Sequence, residues 1–239
     1  MKKRVIIIAS CIAAVLAVVL TVVILLAGNK PDLTAPIEPE TAYKGTLTDI
    51  RGILSDPENT ELVGDGMYGV HEAILALGDE ADRTVGYAYS DLDKDGQSEL
   101  LIGNFEGTGS SDVKNEIYAA YTFDGDLAVP LLEKQKRNTF ALTDTGTLYF
   151  HGSDGEAFHI VAEYEITVDG IVCKNFYFSY PKFGDINDLE IFHNTTGQWD
   201  PKASEKVDMT LEQLEELRKE IAARTVPIDA QLLAQIEAK

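Results

Sequence analysis

Apolar and polar residues follow three different patterns along the 239-residue chain. Residues 5–28 form an almost uninterrupted apolar run without a charged side chain. Residues 29–45 include three prolines and show no apolar periodicity. Residues 46–239 combine short helix-like segments with runs in which apolar and polar positions alternate. These patterns divide the chain into an apolar segment, a connecting segment and a folded domain.

The apolar run at residues 5–28 predicts an uncleaved transmembrane helix. Its 24 residues would extend about 36 Å, more than the roughly 30 Å hydrocarbon core of a bilayer. The apolar region of a cleavable signal peptide is shorter, about 7–15 residues. The first four residues include three basic ones, so the positive-inside rule puts residues 1–4 in the cytoplasm and residues 29–239 outside it. The sequence therefore predicts a single-pass protein of the cell membrane.

Residues 8–11 offer an alternative attachment. Their sequence, Ile-Ala-Ser-Cys, resembles the lipobox of bacterial lipoproteins, in which the cysteine is lipidated and becomes the new N-terminus. The apolar run before Cys11 has only six residues, however, and 17 apolar or small residues follow it. Such a run would be unusual in a mature lipoprotein, so the transmembrane anchor is the favoured prediction.

A short helical region is predicted to follow the connecting segment. The prolines of residues 29–45 favour a semi-extended spacer between membrane and domain. Thr46 can cap a first helix, and a second helix is predicted over 67–77, where Gly78 can end it. The apolar residues on one face are Leu47, Ile50 and Leu54 in the first helix and Val70, Ala73, Ile74 and Leu77 in the second.

From Val85 onward the apolar period changes to two, which predicts about eight strands. Asp-Gly pairs between the runs are hairpin signals, and successive hairpins indicate an antiparallel meander. The predicted strands read YAYS, ELLIGN, IYAAYTF, LAVPLLE, FALT, TLYFHG, FHIVAEYEITV and IVCKNFYFSY.

The turn at Asp169-Gly170 predicts a definite hairpin register. A two-residue loop there leaves Glu165 across from Lys174 as a favourable charge pair. Cys173 then lies on a mainly apolar face with Ile171 and Tyr177, as a buried and unreactive thiol. The predicted pairs are Val168 with Ile171, Ile166 with Cys173, and Tyr164 with Asn175.

A helical segment is predicted to close the chain. Thr210 and Gln213 have the spacing of a capping box, and residues after Pro227 continue a helical period. The apolar positions are Leu211, Leu214, Leu217, Ile221, Ile228, Leu232 and Ile236. The predicted fold class is therefore α+β, with a transmembrane helix, short helices, an antiparallel meander and this C-terminal helical segment, and residues 46–239 form the extracytoplasmic domain.

Charge restricts the partners of this domain. All 40 acidic residues and 17 of the 20 basic residues follow position 28, which gives this part a formal charge of −23. Such a surface repels nucleic acid and attracts cations or basic partners. Cys173 is the only cysteine after position 28, so no disulfide can form within this part. A domain without disulfides depends on its apolar core and, where one binds, on a metal ion.

The segment 91–99 carries the clearest chemistry. A hard cation such as calcium takes six to eight oxygen ligands, which requires several carboxylates within one tight turn. Gly96 permits the reversal of the chain, and four carboxylates in nine residues would repel one another without a cation. The predicted ligands of one Ca²⁺ are Asp91, Asp93, Asp95, the backbone carbonyl of Gln97, and Glu99.

The motif DLDKDGQSE at 91–99 departs from the EF-hand, because position 12 is Ile102 and the flanking residues are strand-like. It resembles the calcium loops of integrin α-chain and FG-GAP repeats, in which Asp-x-Asp-x-Asp-Gly-x-x-Asp joins two strands. Residues 87–104 also look like a segment of exported, membrane-anchored or lipoprotein-like proteins of Gram-positive bacteria. The resemblance implies calcium binding and an extracytoplasmic location, and it implies no enzymatic activity. Glu99 replaces the usual last Asp, and the loop occurs once, so no full propeller is expected.

The sequence identifies no catalytic residues and no further cofactor. Neither a metalloprotease motif nor a serine nucleophile motif is present. The aromatic run 176–180, with Phe183 and Trp199, is a candidate platform for a sugar or peptide, although alternation sends about half of the run into the core. The predicted function is a non-enzymatic, calcium-stabilised surface domain with a protein or glycan ligand. The alternative is a secreted-side hydrolase whose carboxylates the sequence does not distinguish.

Overall fold

The structure is a computed structural model that describes residues 37–105, 112–153 and 157–236. The predicted cytoplasmic tail, the anchor at residues 5–28, Cys11 and the first part of the spacer lie outside the described residues. Among the described residues, no helix is long and apolar enough to cross a membrane.

One antiparallel sheet dominates the described part of the chain, which confirms an α+β fold. Its strand order is β10-β9-β8-β7-β6-β5-β3-β2-β1-β11, and β4 pairs with β3 beside β5. The strands are β1 (Val85–Ser90), β2 (Glu99–Asn104), β3 (Glu116–Phe123), β4 (Ala128–Glu133), β5 (Asn138–Leu142), β6 (Leu148–Ser153), β7 (His159–Thr167), β8 (Gly170–Lys182), β9 (Asp185–Asn194), β10 (Glu205–Val207) and β11 (Gln231–Leu232).

The prediction of about eight strands was too low, because the described residues form eleven. All eight predicted runs are strands, β1 to β8. The first half of β9 is exposed and contains Asp and Asn, which are usually depleted in strands. β10 and β11 have only three and two residues, too few to show a period. These three strands exist because neighbouring strands offer backbone partners, which local sequence does not reveal.

Five α-helices accompany the sheet in the described residues: α1 (Pro39–Ala42), α2 (Lys44–Ser55), α3 (Tyr68–Leu77), α4 (Ala81–Thr84) and α5 (Leu211–Ala223). Single 3₁₀ turns occur at Thr60–Leu62, Gly78–Glu80, Pro201–Ala203 and Leu233–Gln235. Helix α3 and its end at Gly78 agree with the prediction, and Gly78 has a positive φ of 52°. Helix α5 begins with the predicted capping box of Thr210 and Gln213.

The semi-extended spacer was predicted to reach residue 45, and this is wrong from residue 39 onward. Helices α1 and α2 occupy that region, so Thr46 lies inside α2 and does not cap it. Tyr43, between the two helices, is fully buried. Its hydroxyl donates a hydrogen bond of 2.7 Å to the carbonyl of Ser98. Burial of this aromatic side chain draws the segment onto the domain, despite the prolines nearby.

The helical period predicted after Pro227 was also wrong. Gly86 of β1 pairs with Leu232, and Leu233 is fully buried. The segment therefore covers the free edge of β1 as strand β11 and then makes a single 3₁₀ turn. The predicted apolar positions Ile228, Leu232 and Ile236 are only partly buried, and the fully buried Leu233 lies outside that spacing, because pairing with the sheet edge determines the conformation.

The hairpin of β7 and β8 has a different register from the predicted one. Ile166 pairs with Ile171, and Tyr164 pairs with Cys173. A bulge then follows, because Glu163 pairs with Asn175 and leaves Lys174 as an extra residue. The residues beyond the bulge change faces, so Tyr177 does not share a face with Cys173 as predicted. Cys173 is half-buried rather than buried.

The predicted contact between Glu165 and Lys174 is present, at 2.9 Å between carboxylate and ammonium. The bulge tolerates this pair because both long side chains are about half exposed and reach across the strands. The predicted contact is therefore present, although the predicted register from which it was inferred was wrong.

The apolar core on one face of the sheet has two separate parts. Helices α2 and α3 pack on β2 and β3 with residues such as Ile50, Ile74 and Ile102. Helix α5 packs on β5, β6 and β7 with residues such as Leu214 and Val161. Two further clusters lie among the strands themselves. The gap between the two helix-covered parts leaves polar residues of the sheet accessible.

Candidate metal centre

The predicted metal loop connects strands β1 and β2 as a hairpin. Ser90 and Glu99 are paired, so the two ends of the loop are adjacent. Lys94 and Gly96 both have positive φ, 64° and 92°, and these two residues reverse the chain. Glycine adopts such a conformation without steric cost, and lysine does so at some cost.

Backbone N–H groups fix the carboxylates of the loop. Asp93 accepts from the N–H of Asp95 at 3.1 Å, and Asp91 accepts from the N–H of Gly96 at 3.2 Å. Asp95 accepts from the N–H of Gln97 at 2.6 Å. The Asp93 and Asp95 contacts each reach the backbone two residues further on, which is the turn that Asp side chains favour. They orient the side chains before any ion binds.

Three carboxylates converge. One oxygen from each of Asp91, Asp93 and Glu99 lies within 4.8 Å of the other two, a group that could hold a metal ion. Glu99 is only 1% exposed, and it accepts a hydrogen bond of 2.7 Å from the N–H of Leu92. Asp95 belongs to the same loop but not to this group. The structure thus brings together three of the five predicted ligands.

The electrostatics of the group favour a bound cation. The pKa of Glu99 is raised to about 7, mainly by burial and also by the negative charges of the three loop aspartates, while the hydrogen bond from the Leu92 N–H acts in the opposite direction. Burial also raises the pKa of Asp93. In the described part of the chain, no Lys or Arg forms an ion pair with any of the four loop carboxylates. A cation would supply the missing positive charge.

The loop also holds the segment that precedes helix α1, which the sequence did not indicate. The side-chain amide of Gln97 accepts from the N–H of Ile37 at 2.9 Å and donates to the carbonyl of Ile37 at 3.1 Å. Tyr43 binds the next residue, Ser98, as described above. The sequence assigned Gln97 a role through its backbone carbonyl only. A side chain that pairs with a distant backbone leaves no local pattern.

The candidate aromatic platform is divided between core and surface. Phe176 and Phe178 are buried, as alternation predicts for half of the run. Phe183 is fully exposed at the turn after β8, while Trp199 is 37% exposed. Trp199 makes an edge contact with Phe158, at 5.2 Å between ring centroids. These residues therefore form no single stacked surface.

The geometry agrees with a loop between two antiparallel strands rather than between the two helices of an EF-hand. The Asp91–Asp93–Glu99 group does not by itself identify an integrin-type loop, so that resemblance stays a prediction. Comparisons with protein families, with curated proteins and with solved structures found no match to this chain.

Proposed function

We propose that residues 91–99 bind one Ca²⁺ ion and that the chain is a non-enzymatic domain held outside the cytoplasm by a transmembrane helix at residues 5–28. The single observation that carries this proposal is the convergence of Asp91, Asp93 and Glu99 in a loop whose carboxylates form no ion pair with any Lys or Arg of the described residues. The integrin-like spacing of the motif supports the same assignment.

Calcium suits these donors better than other common metals. The group consists of carboxylate oxygens alone, which hard cations prefer, whereas zinc and copper favour nitrogen and sulfur ligands. Magnesium demands a near-ideal octahedron and keeps several waters. Asp95 and Gln97 belong to the same short loop, and the proposal assigns the Asp95 carboxylate and the Gln97 carbonyl as the further oxygens that the larger coordination shell of calcium requires.

The test is thermal unfolding of the full-length chain in calcium, magnesium and chelator. Extracellular calcium modules bind at about 0.1–1 mM. With 1 mM calcium and a dissociation constant of about 0.1 mM, the free energy of unfolding should rise by about 1.4 kcal/mol. Asp93→Asn should abolish this gain. Asp169→Asn removes the same charge from the β7–β8 turn and should retain it. Equal melting temperatures of the parent in calcium and in chelator would disprove the proposal.

The hydrolase alternative receives no support from a specific group of residues. Glu116 and Glu215 line a cleft of about 810 Å³, but both are committed to ion pairs. Glu116 binds Lys134 at 2.6 Å, and Glu215 binds Arg218 at 2.7 Å. A general acid or base requires a carboxyl group that is available to exchange a proton with substrate.

A further inference from the structure

The metal loop binds the start of the described chain at two points. The side-chain amide of Gln97 accepts a hydrogen bond of 2.9 Å from the N–H of Ile37 and donates one of 3.1 Å to the carbonyl of the same residue. The hydroxyl of Tyr43 donates a hydrogen bond of 2.7 Å to the carbonyl of Ser98. Residues 37–43, the entry segment of the domain, are thus bound at both ends by two consecutive residues of one loop.

The entry segment has few other contacts that could hold it in place. Helix α1 has four residues, none of them buried, and its N-cap residue makes no side-chain hydrogen bond. Such a short helix is unstable alone, because one turn fixes several backbone torsions for few hydrogen bonds. Tyr43 is the one buried residue of the segment, and its ring packs on those of Tyr89 and Phe123. The position of residues 37–42 therefore depends strongly on the bonds to Gln97.

The two loop residues that hold the entry segment belong to the proposed calcium site. Gln97 is assigned as a ligand through its backbone carbonyl, and Ser98 directly precedes Glu99. Carboxylate oxygens of Asp91, Asp93 and Glu99 lie within 4.8 Å of one another, so they repel when no cation is bound. A cation removes this repulsion and restrains the backbone at residues 97 and 98. The contacts with the entry segment are therefore made by the part of the loop that a cation would order.

The hydroxyl of Tyr43 is also close to the loop in electrostatic terms. Burial raises the pKa of Tyr43, and the negative charge of Glu99 is the second largest cause of this shift. Asp95 and Asp93 act in the same direction. The far end of the entry segment thus interacts with the carboxylates of the loop as well as with its backbone.

We propose that calcium bound at residues 91–99 holds the entry segment on the domain, and that removal of calcium releases it. The inference rests on the proposed calcium site and assigns a regulatory role to that site. Release of residues 37–42 would lengthen the free chain before the domain by up to about 20 Å, at roughly 3.4 Å for each extended residue. Calcium would then control how far the domain can move from its proposed anchor. Linkage also makes the effect mutual, because a segment that calcium holds must strengthen calcium binding by the same factor.

Amide hydrogen exchange of the full-length chain tests whether calcium holds the segment. The N–H groups of residues 41–43 bond to the carbonyls of Glu38 and Pro39. We expect them to exchange at least about 5-fold faster in chelator than in about 10 mM calcium. Gln97→Ala keeps the backbone carbonyl but detaches Ile37, so exchange should be fast in both conditions. Protection by calcium that persists in Gln97→Ala would mean that calcium stabilises the whole domain, and it would overturn the inference.

Calorimetric titration with calcium tests the reciprocal effect. Tyr43→Phe keeps the buried ring and removes the bond to Ser98, so calcium should bind about 5-fold more weakly although Tyr43 is not an assigned ligand. Tyr121→Phe is the matched control. Tyr121 is also buried, and its hydroxyl donates to the carbonyl of Gly66, outside the metal loop. This variant loses an equivalent hydrogen bond and should bind calcium as the parent does.

Two further results separate failure of the inference from failure of the calcium site. If the parent binds no calcium, both the proposed site and its control of the entry segment are wrong. If the parent binds calcium, but exchange at residues 41–43 is the same in chelator and Tyr43→Phe retains the parent affinity, the calcium site stands and only the control of the entry segment is wrong.

Discussion

At the scale of single residues, Glu99 shows what local sequence can and cannot establish. Spacing within 91–99 was sufficient to select the carboxylates, because ligands of one loop are close in sequence. The burial of Glu99 was not predictable, because residues far away along the chain enclose it. One of them is Tyr43, whose hydroxyl binds the neighbouring Ser98. The side-chain role of Gln97 was missed for the same reason.

Glu99→Gln should have opposite effects in chelator and in calcium. In chelator the change removes a buried negative charge that lies beside Asp91 and Asp93, so the variant should melt at or above the parent temperature. In 1 mM calcium the variant loses a ligand and should be less stable than the parent by about 1 kcal/mol. Parallel melts measure both. Glu205→Gln, on the exposed β10, is the control, and a Glu99 variant that is destabilised equally in both conditions would refute the argument.

Cys173 provides a second residue-scale prediction. Its thiol is half-buried, and burial raises its pKa, so the reactive thiolate is scarce in the folded state. In a Cys11→Ser background, a thiol reagent should label native protein at least about 10-fold more slowly than unfolded protein. Equal labelling rates would show that the fold does not shield this thiol.

At the scale of elements, the apolar pattern predicted β1 to β8 because each of these strands contributes residues to at least one apolar cluster. It failed for β9, β10 and β11, whose pairing partners rather than their own residues define them. The register of β7 and β8 failed differently, because an Asp-Gly pair indicates a turn but not the bulge that follows it. Strands were thus predictable where burial determines the apolar pattern. They were not predictable where pairing with a sheet edge determines the strand, or where a bulge determines the register.

The contact between the metal loop and the segment 37–43 leads to an element-scale prediction. Gln97→Ala removes both hydrogen bonds to Ile37, and each is worth about 1 kcal/mol. Amide hydrogen exchange should therefore accelerate at residues 37–43 and remain unchanged in helix α5. Gln198→Ala, in the connection after β9, is the matched control. Unchanged exchange at residues 37–43 would mean that packing of Tyr43 alone holds the segment.

At the scale of the whole molecule, hydropathy and charge divide the sequence into an uncharged apolar part, residues 5–28, and a strongly acidic part after it. The −23 charge after residue 28 is compatible with a domain that faces away from anionic headgroups, and the apolar run before it is compatible with a bilayer. The described domain contains one free cysteine and no disulfide, so its stability depends on the apolar clusters and on any bound ion. Such a domain does not require an oxidising folding pathway.

The topology prediction is tested by adding protease to intact cells. The positive-inside rule places residues 29–239 outside, so the protease should remove the domain and leave a short membrane-bound fragment that begins at residue 1. Cys11→Ser should not release the protein from the membrane, because a transmembrane helix needs no lipid. A cytoplasmic protein of the same cells is the control for lysis. If the domain is protected until lysis, its orientation is opposite to the predicted one. If the Cys11 variant is released, a lipid on Cys11 and not a transmembrane helix anchors the protein.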